Sequence, residues 1–270
     1  MVDWKSVFEE IASEIYRGVK PIFRTAKVGE IIGRGAGGDL TRHIDALAEG
    51  IAIKTLERNN VSCILISEET GTKTIGHNAK DYVILDPVDG TTNAFCGIPF
   101  FCTSIALASE PQLTSVKLGL IKDLNSGATF YAGAGKGAYE GEKPLISSNV
   151  TTVAEAMIGI EVSIPGNTKF LASVVPLLSA TKKIRHLGST ALETCYVGAG
   201  LMDAFLDNRG IIRATDIAAA YLIVKEAGGV MVTPKGEELD MILKATERTA
   251  YIAAANKNLA DDIIRLLKTG

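Results

Sequence analysis

Two aspartates separated by a proline and a valine, followed at once by glycine and two threonines, constrain this chain more than any other stretch: Asp86-Pro87-Val88-Asp89-Gly90-Thr91-Thr92-Asn93. The run before it, Tyr82-Val83-Ile84-Leu85, is apolar and β-branched, the pattern of a buried strand, so both acids emerge where that strand ends. Sites in open α/β folds gather at that edge. Pro87 cannot continue a hydrogen-bonded ladder and Gly90 reaches backbone angles closed to other residues, so the chain must turn sharply here. Asp86 and Asp89 can then face one point, where they repel each other unless a cation lies between them. Hard divalent ions such as Mg²⁺ take oxygen ligands. The backbone N–H groups of Gly90, Thr91 and Thr92, at the expected start of a helix, suit an anion such as phosphate.

A second acidic strand end points the same way. Cys63-Ile64-Leu65-Ile66 reads as a strand and runs into Ser67-Glu68-Glu69, repeating the arrangement at Asp86. Taken alone these acids fit a solvated loop; beside the Asp86 cluster they become candidate metal ligands. Asp216 precedes an almost wholly apolar helical stretch, Ile217 to Val224, and is either its N-cap or a ligand facing a cleft. Asp45 lies among apolar positions of another expected helix, one and a half turns in, as an exposed acid or as one turned toward the site. The histidines His43, His77 and His186 form no zinc-binding pair.

The remaining chain fills in an α/β protein. Val7, Ile11, Ile15, Val19 and Ile22 give a surface helix ending near Pro21. Val28 to Gly38 ends in Gly33-Arg34-Gly35-Ala36-Gly37-Gly38, read either as a flexible hairpin tip or as a flap bringing Arg34 or Lys27 over a phosphate. It is not a Walker loop, because no Gly-Lys-Ser/Thr follows. Asp39-Leu40-Thr41 is a capping signal, so a helix is expected from Asp39 with Ile44, Leu47, Ile51 and Leu56 on its apolar face. Short apolar runs over 101–146 suggest an antiparallel meander, and past Ser147-Ser148-Asn149 strands and helices alternate as in βαβ units. An N-terminal lobe over 1–149 and a C-terminal lobe over 150–270 follow from that switch.

Charge and cysteine content exclude several classes. With 28 basic against 31 acidic residues the net charge is −3, and without a basic stripe nucleic acid is a poor partner. No basic-then-apolar leader opens the sequence and no apolar stretch is long enough for a membrane span. Cys63, Cys96, Cys102 and Cys195 form no CxxC pair and read as reduced thiols of a cytoplasmic protein.

Together, Glu68-Glu69, the Asp86–Asn93 segment, Leu187-Gly188-Ser189-Thr190-Ala191-Leu192-Glu193 and Asp216-Ile217-Ala218-Ala219 resemble the inositol monophosphatase family, part of the lithium-sensitive phosphatase superfamily that includes fructose-1,6-bisphosphatase. The resemblance runs from the first helix to the last and is strongest to the archaeal branch, whose members often accept both inositol phosphates and fructose 1,6-bisphosphate. It implies a five-layered αβαβα sandwich, a homodimer, and a Mg²⁺-dependent phosphomonoesterase using two or three ions, with Mn²⁺ as a substitute. By matching motif positions it implies that Glu68, Asp86 and the Val88 carbonyl hold one ion, and that Asp86, Asp89 and Asp216 hold another. Glu68 would also contact a weaker third. Thr91, bonded to Asp45, would position the attacking water, making Thr91, Asp45 and Glu68 the catalytic set. Gly90, Thr91 and Thr92 would grip phosphate, joined by Gly188, Ser189 and Thr190.

The chain departs from the family pattern in one segment. Thr215-Asp216 stands where many members have Trp-Asp, and Asp207-Asn208-Arg209-Gly210-Ile211-Ile212-Arg213 has one residue more than the inositol-selective animal enzymes. In those a Glu binds ring hydroxyls. Here Arg209 and Arg213 suit a second phosphate, which a guanidinium grips bidentately. Three rivals are a phospho-aspartate phosphatase, which would need Asp-x-Asp-x-Thr after its first strand, a 3′-phosphoadenosine 5′-phosphate phosphatase, and a phosphometabolite-binding protein without turnover.

Overall fold

Three hydrophobic clusters separated by two sheets organise the molecule. The structure, a computed structural model, describes residues 2–36, 40–163 and 166–268. Helix α1 (Trp4–Val19) buries Val7, Phe8, Ile11, Ile15 and Val19 along one face. Strands β1 (Ile31–Arg34) and β2 (Leu40–Arg42) then pair antiparallel, so the glycine-rich stretch is a hairpin. Gly37 and Gly38, and the expected cap Asp39, lie outside the described residues.

Helix α2 (His43–Arg58) starts four residues later than the capping signal suggested. The pairing with β1 holds Leu40–Arg42 extended, and the N-cap is Arg42, whose N–H is accepted by Asp45 Oδ2 at 3.1 Å. Asp45 therefore sits in the first turn rather than one and a half turns in. It is buried, not an exposed helix acid.

The first sheet comprises β3 (Cys63–Ser67), β4 (Gly71–Ile75), β5 (Asp81–Asp89), β6 (Cys102–Ala108), β7 (Val116–Asp123), β8 (Thr129–Gly133), β9 (Ala138–Glu140) and β10 (Lys143–Pro144). Its order is β10-β9-β8-β7-β6-β5-β3-β4, with a short helix α3 (Thr91–Cys96) after β5. From β6 to β10 it is the expected antiparallel meander. β3 and β5 run parallel with Ser67 opposite Leu85, which brings both acidic strand ends to one edge. Gly71-Thr72-Lys73-Thr74-Ile75, without an apolar run, gave no strand signal, yet it pairs with β3 as a half-exposed edge.

The second sheet comprises β11 (Met157–Ile160), β12 (Lys183–Arg185), β13 (Ala204–Ile212), β14 (Val230–Val232) and β15 (Thr249–Ala254), in the order β12-β11-β13-β15-β14. Between them lie α4 (Thr168–Ala180), α5 (Thr190–Gly198) and α6 (Ala214–Glu226), with α7 (Lys257–Leu267) last. The βαβ pattern holds through β13; β15 then pairs antiparallel with both β13 and β14.

Packing stacks these parts in five layers. One cluster joins α1 and α2 to the first sheet, and another joins α4 and α7 to the outer face of the second. The largest, from Ile66 to Ala253, wraps α5 and α6 between the sheets, giving the αβαβα sandwich. Helix α6 is apolar all round because it is covered all round: Ile217 to Val224 are all buried. Gly119 of β7 permits its closest approach, since a Cβ there would meet the Ala219 carbonyl oxygen at 2.7 Å.

Candidate active site

The strand that carries the two aspartates breaks its ladder between them. Asp86 faces Ser104 and Asp89 faces Cys102, so three steps on β5 oppose two on β6. Pro87, which has no N–H to donate, sits in that bulge. Asp86 Oδ1 accepts the Val88 N–H at 3.1 Å, tightening the turn. Gly90 follows at φ +90°, where Phe100 O and Phe101 Cβ stand only 3.1 Å from where a side chain would begin. Only glycine fits, and α3 starts at the next residue. The Thr91 hydroxyl lies 2.9 Å from both Asp45 Oδ1 and the Val88 carbonyl. It has one proton, so it donates to one of them at a time.

A cavity of about 540 Å³ opens over this turn between the sheets. Glu68 from the end of β3, Asp86 from β5 and Asp216 from the first turn of α6 converge there, with one oxygen of each within 4.8 Å of the others. Burial first, and then mutual repulsion, raises Asp86 and Glu68 above the usual carboxylate range. Burial raises Asp216 too, against the Arg213 N–H it accepts. Asp45 is lifted to about 7 by burial, partly offset by the Thr91 hydrogen bond.

Asp89 lines the same cavity but stands apart from that triad. Its Oδ2 accepts Ser189 Oγ–H at 2.5 Å and Ala191 N–H at 2.7 Å, bonds that tie β5 to the start of α5 a hundred residues on. Burial nonetheless raises it. Gly188 lines the cavity, while Ser189, fully buried, and Thr190 stand behind it. Asn93 and Glu193 hold this turn from two sides. Asn93 Nδ2 donates to the Leu187 carbonyl at 2.6 Å, and Glu193 Oε2 accepts the N–H groups of Leu187 and Gly188 at 3.1 and 3.0 Å.

Gly90, Thr91, Thr92, Val88, Arg209 and Arg213 also line the cavity, but both arginines are engaged by acids. Arg213 Nη1 is 2.5 Å from Glu68 Oε1, and Arg209 forks onto Asp207 and donates to the Ser163 carbonyl at 3.0 Å. Lys27 and Arg34 do not line it. Glu69, a candidate acid from the sequence, does, and so do Leu40 and Arg42, which had not been singled out for the pocket. A repeated signal was available: Arg42-x-x-Asp45 and Arg213-x-x-Asp216 both open a helix. In each the Asp at the third helical position accepts the Arg N–H, so both acids face the cavity at a helix N-terminus.

The donor set fits a hard divalent cation. Its atoms are all oxygens, and its buried carboxylates outnumber the one guanidinium paired within the triad, so added positive charge is favourable.

Comparison with known proteins agrees over the whole length. The sequence profile of the inositol monophosphatase family matches residues 3–269. A fructose-1,6-bisphosphatase/inositol-1-monophosphatase of Methanothermobacter thermautotrophicus is 36% identical over 274 residues, covering 98% of this chain and 96% of its own. A bifunctional NADP phosphatase/NAD kinase of Methanococcus maripaludis is 37% identical over 265 residues, 90% of this chain but only 46% of that longer protein. Among solved structures, an inositol monophosphatase-fructose 1,6 bisphosphatase superposes with a TM-score of 0.85 at 31% identity, covering 98% of this chain and 100% of its own. The extragenic suppressor protein suhB of Bartonella henselae gives 0.84 at 27% identity, covering 98% of each chain.

Proposed function

Because the chain belongs to the inositol monophosphatase family, we propose that it is a Mg²⁺-dependent phosphatase acting on inositol 1-phosphate and fructose 1,6-bisphosphate. The convergence of Glu68, Asp86 and Asp216 from three separate elements carries this reading. Glu68, Asp86 and the Val88 carbonyl would hold one ion, and Asp86, Asp89 and Asp216 a second, with Asp89 using the oxygen that Ser189 and Ala191 leave open. Glu68 would also reach a third, and Mn²⁺ could substitute. Bound there, the ions would lower the pKa of a water and neutralise the leaving oxygen.

The chain's own groups do the positioning. Thr91, oriented by Asp45 or by the Val88 carbonyl, offers its oxygen lone pairs to a water and aims it in line with phosphorus. The N–H groups of Gly90, Thr91 and Thr92 face the phosphoryl oxygens at the start of α3. Gly188 lines the cavity beside Gly90, and Ser189 and Thr190 fix it through Asp89. Arg209 and Arg213 line the cavity and suit a second phosphate, Arg213 once an ion engages Glu68.

The relationship to the NADP phosphatase/NAD kinase supports a second substrate class, the 2′-phosphate of a dinucleotide. Phosphate release should therefore be measured over inositol 1-phosphate, fructose 1,6-bisphosphate, NADP and 3′-phosphoadenosine 5′-phosphate, with Mg²⁺, with Mn²⁺ and with chelator. Turnover of the first two that vanishes with chelator is expected; metal-independent turnover, or none on any substrate, overturns the reading. A cytoplasmic homodimer completes it. The exposed apolar side chains Leu171 and Val175 of α4 and Ile184 of β12 support self-association, which light scattering checks.

A further inference from the structure

A cavity of about 690 Å³ lies away from the acids of the candidate active site, where the start of α1 crosses β7, β8 and β9. Its wall is flat and aromatic. Tyr131 and Tyr139 stack with ring centroids 5.5 Å apart and planes 22° from parallel, and Trp4 lines the same space. Lys5, Lys117 and Lys136 surround it, with Lys5 Nζ 4.0 Å above the Tyr131 ring. Asp3 and Asp81 are the acids that line it among the described residues. Asp3 is committed to the Ser6 N–H and hydroxyl as the cap of α1, and Asp81 to Lys117 at 2.6 Å. Lys5 pairs with Glu9 at 3.6 Å, so of these three lysines Lys136 alone forms no ion pair among the described residues.

The wall is also held in place. The turn joining β8 to β9 is tied down by Glu226, whose two carboxylate oxygens accept the N–H groups of Gly135 and Gly137, each at 2.8 Å. A pocket of this volume, lined by stacked rings and by the unpaired ammonium group of Lys136, is shaped for a planar ring bearing an anion. We propose that it is a binding site for an aromatic phosphate of mononucleotide size, separate from the proposed active site. The ring would lie against Trp4, Tyr131 and Tyr139, and Lys136 and Lys5 would meet the phosphate.

The chain supplies its own reporter, because Trp4 is its single tryptophan. Trp4 emission is titrated with adenosine, guanosine and flavin mononucleotides, in chelator so that no metal-dependent phosphate binding competes. The matching nucleosides and inorganic phosphate are parallel arms, and calorimetry gives the stoichiometry. Saturable quenching by at least one mononucleotide is expected, at one site per chain with a Kd below about 1 mM. Neither the nucleoside nor phosphate alone should match it. Lys136→Ala and Tyr139→Ala, each checked for folding by circular dichroism, should weaken binding roughly tenfold, while Asp86→Asn should not. Three results overturn the proposal: no saturable quenching by any mononucleotide, equal affinity for the bare nucleoside, or quenching kept in both pocket variants and lost in Asp86→Asn.

Discussion

Glu193 is 1% exposed, and while its Oε2 holds the turn at Leu187 and Gly188, its Oε1 has no hydrogen-bond partner. Burial pushes its carboxyl from an ordinary 4.5 up to about 7. An acid with a raised folded-state pKa binds its proton more tightly when folded. Its contribution to stability is complete below the unfolded pKa and is lost as pH rises toward the folded one. The melting temperature should therefore fall between about pH 4.5 and 7, and Glu193→Gln should flatten that slope. An unchanged slope in the variant would rule out this assignment. Asp86→Asn tests the metal triad. In chelator it should be more stable than the parent by about 1 kcal/mol or more, because a buried like charge is removed. With Mg²⁺ its phosphatase rate should fall by more than roughly 100-fold, past the usual effect of outer-shell changes. A variant that is both less stable in chelator and active would contradict the triad. Of these residues Asp86 was plain from the sequence, since its turn is local. The bond from Ser189 to Asp89 was not, because packing brings together partners a hundred residues apart, and the burial of Glu193 is likewise set by packing.

Among elements, α6 joins the most functions: its first turn carries Asp216, its middle fills the space between the sheets, and its last residue, Glu226, pins the turn from β8 to β9. Its seat depends on Gly119, whose missing side chain leaves room for the Ala219 backbone. Gly119→Ala should cost about 1–3 kcal/mol by overpacking, and should weaken Mg²⁺ binding in calorimetry by displacing Asp216. Full stability in that variant would mean the contact yields easily. Helix α6 was legible as a buried helix because its apolar residues leave no polar face. The start of α2 was not, because the pairing of β2 with β1 overrides a local cap and no single-residue preference reports a hairpin. Edge strand β4 was missed for the same reason, its threonines and lysine being half exposed.

For the molecule as a whole, the acids of the candidate site come from both sides of the largest core, Glu68 and Asp86 from the first sheet and Asp216 from the helix layer. An ion held between them binds only the folded arrangement. Magnesium at a hundred times its Kd should then stabilise the protein by about 2.7 kcal/mol, read as a rise in melting temperature. Asp216→Asn should abolish most of that rise; a full rise in the variant would place the ion elsewhere. No described helix is long and apolar enough to cross a membrane.

The contact of Arg213 with Glu68 also sets a sequence of events in time. While the guanidinium neutralises that acid it is a place-holder, unavailable to any incoming anion. An ion that took Glu68 would release that contact beside the pocket mouth. Addition of reactants should thus be compulsory rather than random, divalent ion before phosphate ester, and initial-rate patterns with both varied will show which.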